Sequence, residues 1–140
     1  MGYMTMPLRR YFDFSGRSRR QEYWMFFLWQ MLMYSGWAIF FFAAVPSGLT
    51  WTEEPIVLTL LLLPVAFLLF CTIPNLAVAV RRFHDQGFSG WMYLLNFIPW
   101  IGGLIVLVFM LLPGNSGANK YGPDPKGVEG YRDQLEAVFA

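Results

Sequence analysis

The sequence predicts an all-α polytopic membrane protein with three transmembrane helices, an N-terminal interfacial segment and a polar C-terminal tail. Three observations carry that expectation. Only 14% of the 140 residues are charged, against 56% hydrophobic and 19% aromatic, whereas a soluble domain carries about 25% charged residues. The charges are also segregated, with none from Tyr23 to Thr52, from Pro55 to Val80 or from Gln86 to Asn119. These runs are apolar all round, without the polar face that a water-soluble helix turns to solvent. A net charge of +1 gives no electrostatic footprint for nucleic acid, so none is expected as a partner.

Residues 1–22 read as a cytoplasmic interfacial segment. Pro7 can open a helical turn, and Leu8, Tyr11 and Phe12 then share a face opposite Arg9, Arg10 and Asp13, a pattern suited to the headgroup region. Ser15-Gly16 is a turn signal. Ser18 with Gln21 forms a capping box, which starts a helix near Arg19. The basic, aromatic start leads into a run too long for a cleaved signal peptide. Tyr23 and Trp24 fit an interfacial aromatic belt.

The first predicted span is residues 23–45, about 35 Å as a helix, enough for a hydrocarbon core of about 30 Å. Its polar members Gln30, Tyr34 and Ser35 should face protein. Residues 46–55 form an external loop that holds Glu53 and Glu54 and no base. The second span is residues 56–80. Pro64 and Pro74 each remove a backbone donor; the freed carbonyl of Phe70 should be satisfied by Thr72, Asn75 or water. Asn75, Val78, Ala79 and Arg82 share a face that leads toward residues 81–90, a polar loop. Cys71 reads as a small buried apolar side chain.

Within that loop Arg81 and Asp85 are spaced i, i+4, as for a pair on one turn. Gly87 fits a helix C′ position, and Ser89 an N-cap. The third span is residues 91–112. Its alternative is a break near Pro99 and Gly102-Gly103 that turns the chain back within the membrane. Residues 113–140 form the tail, in which Asn119-Lys120-Tyr121-Gly122-Pro123 is turn-rich and residues 128–139 can form a short surface helix.

Basic residues flank the cytoplasmic side of spans. Arg9, Arg10, Arg17, Arg19 and Arg20 precede the first span, and Arg81 and Arg82 follow the second. The N-terminus and the polar loop therefore belong in the cytoplasm. Three full crossings would put the tail outside; a turn near Pro99 would put every base on one side.

The polar side chains at these connections are the candidate site: Asp13, Ser15, Arg17, Arg20, Glu22, Arg81, Arg82, His84, Asp85 and Ser89. Glu22 or Asp13 should pair with Arg81 or Arg82 and lock the first two spans together, since arginine favours bidentate contacts to carboxylate. Arg19, Arg20, Arg81 and Arg82 are candidate contacts for anionic lipid headgroups. A lone His84 with a few carboxylates has no zinc-type spacing, and no nucleophile elbow is present. No catalytic residue, metal or cofactor is therefore expected. Few polar residues lie within the spans, so a pore would need several copies; a homo-oligomer or a membrane-protein partner is the expected association.

Three segments taken in order resemble one family: residues 11–24 (Tyr-Phe-Asp-Phe-Ser-Gly-Arg-Ser-Arg-Arg-Gln-Glu-Tyr-Trp), residues 81–91 (Arg-Arg-Phe-His-Asp-Gln-Gly-Phe-Ser-Gly-Trp) and residues 117–125 (Gly-Ala-Asn-Lys-Tyr-Gly-Pro-Asp-Pro). They are similar to the domain of unknown function 805 family, the YhaH-like bacterial inner-membrane proteins, which typically carry Leu where Phe83 stands. The tail motif Asn119, Tyr121, Gly122 and Pro123 belongs to this resemblance. It implies a multi-pass bacterial inner-membrane protein and no particular activity. The reading on these grounds is a non-catalytic interaction or accessory component. An oligomeric channel or carrier is the alternative, and a lipid-acting enzyme the third.

Overall fold

The computed structural model describes residues 2–44 and 54–127. The described residues form α1 (Met6–Arg9), α2 (Arg20–Ala44), α3 (Glu54–Asp85), a 3₁₀ helix (Gly90–Phe97) and α4 (Gly102–Leu111). Among them the only strand-like feature is an isolated antiparallel bridge between Asn119 and Gly122. The expected first loop and the tail helix over 128–139 lie outside the described residues.

Two helices, Arg20–Ala43 and Leu58–Asp85, are long and apolar enough to cross a membrane. The core helix of a soluble protein would be mostly buried, yet only 11% and 22% of their most apolar windows are covered. Ile39, Phe40, Phe42 and Leu69 stand more than half exposed, as lipid-facing side chains would. α3 runs unbroken through Pro64 and Pro74 and on to Asp85, so the first part of the expected polar loop is its last turns. It closes with a Schellman arrangement: the Phe88 N–H donates to the Phe83 carbonyl and the Gly87 N–H to the His84 carbonyl, both at 3.0 Å. Gly87, at φ +80°, supplies the left-handed residue this requires.

Of the two expectations for the third apolar run, the structure has the break near Pro99. Residues 91–112 are not one helix: the 3₁₀ helix and α4 pack against each other, joined by a turn at Ile98–Ile101. Pro99 has no N–H to continue a helix, and Trp100 sits at φ +70°, an uncommon conformation for a bulky residue. Gly102 makes the close approach. A Cβ there would lie 2.1 Å from the Leu95 carbonyl oxygen, and its N–H donates to Ile98 O at 2.9 Å. At ten residues, α4 rises about 15 Å, half of a hydrocarbon core of about 30 Å. Both ends of this hairpin sit beside the last turns of α3. Gly90 abuts Val80, where a Cβ would come within 2.7 Å, and the Leu112 carbonyl accepts from Arg82.

Two small apolar clusters hold these pieces together. Ala79, Phe83, Val106 and Met110 join α3 to the hairpin. Phe26, Cys71 and Val78 join α2 to α3, with Leu8 of α1 packed alongside. Cys71 is thus the buried apolar contact expected of it. The interfacial segment forms only one turn of helix, with Pro7 buried and Phe12 exposed. Its Tyr11 hydroxyl donates to the Phe70 carbonyl at 2.6 Å, so the carbonyl freed by Pro74 is satisfied by neither Thr72 nor Asn75. Thr72 bonds Leu68 O in its own helix, and Asn75 exchanges two bonds with Gln30, at 2.8 and 3.0 Å. Gln30 therefore faces protein as expected. Ser35 does not: it is exposed and returns its hydroxyl to Met31 O at 2.8 Å within α2.

Candidate functional site

Five ionisable side chains converge where α2 begins and α3 ends. Arg81 and Arg82 are fully buried, and Glu22, Asp85 and Arg17 nearly so. Arg81 Nη2 donates to Glu22 Oε1 at 2.8 Å, while Glu22 Oε2 accepts from the buried Ser18 hydroxyl at 2.6 Å. This is the expected lock between the first two long helices, with Arg81 as the partner. Asp13 stands at its edge: its carbonyl accepts from Arg81 Nη1 at 3.1 Å and its carboxylate is 4.0 Å away. The Ser18 N–H donates to Arg81 O at 3.2 Å, so the segment before α2 docks on α3 through its backbone as well. The capping box expected with Gln21 gives way to this use of Ser18.

The second pairing differs from the sequence expectation. Asp85 does not pair with Arg81, four residues back. It takes Arg82, three residues back, and Arg17 from the N-terminal segment, the latter at 2.9 Å. Arg17 is the hub. Its other guanidinium nitrogens donate to Gly117 O at 2.6 Å and Asn115 O at 2.5 Å, which ties the tail to the start of α2. Arg82 also donates to Leu112 O, and Gln86 to Phe109 O. Carbonyls at the end of α4, which have no partner within the helix, are thereby satisfied by side chains of α3. Gly114 passes so close that a Cβ there would lie 1.8 Å from an Asp85 carboxylate oxygen.

The tail motif caps His84. Asn119 Nδ2 donates to the His84 carbonyl at 2.8 Å, and the Tyr121 ring stacks on the imidazole, centroids 3.8 Å apart. His84 Nδ1 lies 3.3 Å from Gly16 O. Gly122, at φ +140°, closes the tight turn with Asn119; Pro123 is exposed. Three other sequence candidates stand apart from the cluster. Ser15 bonds Asp13 locally, exposed Arg20 reaches Leu111 O at 3.3 Å, and Ser89 caps the 3₁₀ helix. The Ser15 hydroxyl and Arg10 hold the Asp13 carboxyl down at about 2. The N–H groups of Lys126 and Gly117 hold Asp124 below its ordinary value.

Two cavities border this cluster. One, about 80 Å³, lies among Arg19, Arg20, Arg82, Asp85 and Asp124. The other, about 440 Å³, is mostly apolar, with Phe14, Leu76, Val80, Trp91, His84 and Tyr121 in its walls. No group of three or more metal-ligating side chains occurs among the described residues. Asn115, Gln86 and Gly114 are not among the site residues expected from the sequence. Their roles depend on the hairpin returning to α3, which no local pattern encodes.

The family model described as "Protein of unknown function (DUF805)" matches residues 11–123. The chain is 42% identical to "Inner membrane protein YhaI" of Escherichia coli (strain K12), over 90% of this chain and 97% of that one. It is 38% identical to "Inner membrane protein YhaH" of the same organism, over 90% and 98%. It is 28% identical to that organism's "Uncharacterized protein YiiR", over 84% and 89%. No solved structure matches it. Residues 11–24 and 81–91, which carry the charge cluster, fall within the matched range, the tail segment 117–125 runs two residues past it, and the chain belongs to the DUF805 family.

Proposed function

We propose that this protein is an integral inner-membrane component with a structural or interaction role rather than a catalytic one. Its membrane arrangement would be two crossing helices and a re-entrant hairpin, with the N-terminal segment, the charge cluster and the tail together on the cytoplasmic side. The observation that carries the role is the state of the ionisable groups. Arg17, Glu22, Arg81, Arg82 and Asp85 are engaged with one another and with backbone carbonyls, so the described cluster offers no uncommitted acid–base pair. Buried polar networks of this kind fix the register of the elements they join.

The arrangement rests on two supports. A hairpin that begins and ends at the same end of α3 brings the tail beside the N-terminal segment. Nine bases then share one side, Arg9 through Lys126, while the sequence between the two long helices carries Glu53 and Glu54 and no base, as the positive-inside rule asks. The inner-membrane placement accords with the YhaI and YhaH relatives, both named inner membrane proteins.

One observation favours a second reading, an oligomeric channel or carrier: the irregular backbone at Ile98–Ile101 would lie near mid-bilayer depth, where such breaks are tolerated if protein or a water-filled path covers them. Reconstitution separates the two. The purified protein in liposomes should pass no small ions beyond protein-free controls, and should leave native membranes with a membrane protein in fixed ratio. Ion or solute flux from the protein alone would replace the first reading with the second.

A further inference from the structure

We propose that the 80 Å³ cavity between the start of α2, the last turn of α3 and the tail binds a phosphate group. Four bases bound it, Arg19, Arg20, Arg82 and Lys126, beside two carboxylates, Asp85 and Asp124. Both carboxylates are already engaged. Asp85 is held by Arg17 and Arg82, and Asp124 accepts the N–H groups of Gly117 and Lys126, each at 2.9 Å. Arg20 and Lys126 have no carboxylate partner among the described residues, and both are exposed. Arg20 makes only a 3.3 Å contact to Leu111 O, which a stronger acceptor would displace.

Arg82 is 0% exposed, lines the cavity, and its Nε is buried without a partner. Unmet donors of that kind are uncommon in native structures. Ser116 also lines the cavity, and a serine hydroxyl can donate to an anion. The volume suits a few water molecules or one tetrahedral oxyanion, and excludes a larger group from entering whole. The cavity refines the candidate lipid contacts read from the sequence. Arg81 leaves that set, because Glu22 holds it in the interior, and Lys126 enters it. The phosphate would come from a phospholipid headgroup or from a soluble phosphate, since Arg20 stands three residues before the aromatic belt at Tyr23 and Trp24. This inference does not depend on the accessory role above.

The test uses the full chain in phosphatidylcholine nanodiscs, with inorganic phosphate titrated by ³¹P line broadening in one arm. In the other arm, phosphatidylglycerol is added to the nanodiscs and its retention is counted by native mass spectrometry. At about 1 kcal/mol per base near the surface, Lys126→Gln should weaken binding about five-fold, and Arg20→Gln with Lys126→Gln about thirty-fold. Lys120→Gln is the control. It removes the same charge from a lysine that lies over the Tyr121 ring and outside the cavity, so binding should hold. Ser116→Leu adds bulk at the cavity lining and leaves every charge in place, and should weaken binding without a change of charge. A response in the phosphate arm alone assigns a soluble source, and one in the lipid arm alone a headgroup; either supports the site. Equal loss in Lys120→Gln and Lys126→Gln would reduce the effect to general attraction and overturn it, as would no binding in either arm.

Discussion

Glu22→Gln probes the lock between the two long helices most directly. The wild-type carboxylate is 5% exposed, and it faces an Arg81 side chain that is 0% exposed across 2.8 Å. The substitution keeps the shape of the side chain and an oxygen for the Ser18 hydroxyl, but leaves a buried guanidinium without its main countercharge. Breaking a buried pair from one side costs about 3–5 kcal/mol. Arg81 keeps the Asp13 carbonyl at 3.1 Å and the Asp13 carboxylate at 4.0 Å, which places the expected loss at the low end, about 3 kcal/mol. Arg81→Met alone removes the other partner and should cost a similar amount. The double variant Glu22→Gln, Arg81→Met should recover a substantial part, because an apolar replacement of both partners avoids an uncompensated buried charge. The assay is reversible denaturant unfolding in bilayer mimetics, read by tryptophan fluorescence. A single-variant loss below about 0.5 kcal/mol, the range of an ordinary surface substitution, or a coupling energy near zero, would refute the pairing as a stabilising contact.

Gly102→Ala should strain or open the hairpin, since its Cβ would meet the Leu95 carbonyl oxygen at 2.1 Å; a loss of about 1–3 kcal/mol is expected. Gly103→Ala, whose nearest neighbour would be the Asn96 amide oxygen at 3.5 Å, should unfold at the wild-type midpoint, and equal effects at the two sites would contradict the packing. Gln30→Leu removes the two-bond exchange with Asn75 and should cost about 0.6–1.7 kcal/mol, from the average to the maximum for such bonds between membrane helices; Asn75→Leu added to it should cost little more. The Asp13 carboxyl is lowered to about 2 by Ser15 and Arg10. Its folded value lies below its unfolded one, so its contribution is fully present above about pH 4 and disappears as pH falls through 2. Amide exchange over residues 10–18 should accelerate in that window in the wild type, and Asp13→Asn should show the fast rates at neutral pH.

The two long helices were legible in the sequence because lipid allows few backbone solutions, and their lengths follow from its thickness. The partners were legible as chemical types more than as pairs. That a carboxylate would clamp Arg81 or Arg82 followed from burial beside a membrane; that Arg81 would take Glu22 while Asp85 took Arg82 and Arg17 depends on how α2 meets α3. The i, i+4 spacing of Arg81 and Asp85 suggested a local pair. Arg17, sixty-eight residues away in sequence, and Arg82 on the preceding turn reach the carboxylate instead. Pro99 and Gly102 marked the break in the third apolar run, but hydropathy alone could not choose between a kinked span and a return. In the structure Leu112 and Asn115 contact α3 and its C-terminal turn, which is the contact that supports the proposed return. The same contacts explain the tail motif: Asn119 and Tyr121 cover His84 only because the chain comes back to it.

Cysteine accessibility tests that return most directly. Starting from a Cys71→Ala background, Thr5→Cys and Ser116→Cys, both exposed positions, would be probed with a membrane-impermeant maleimide in intact spheroplasts and after lysis, with Ser47→Cys between the two long helices as the external marker. A hairpin that re-enters predicts that Ser47→Cys labels in intact cells, while Thr5→Cys and Ser116→Cys label together and only after lysis. Labelling of Ser116→Cys from outside while Thr5→Cys stays protected would show that the third apolar run crosses the bilayer, and would contradict the account.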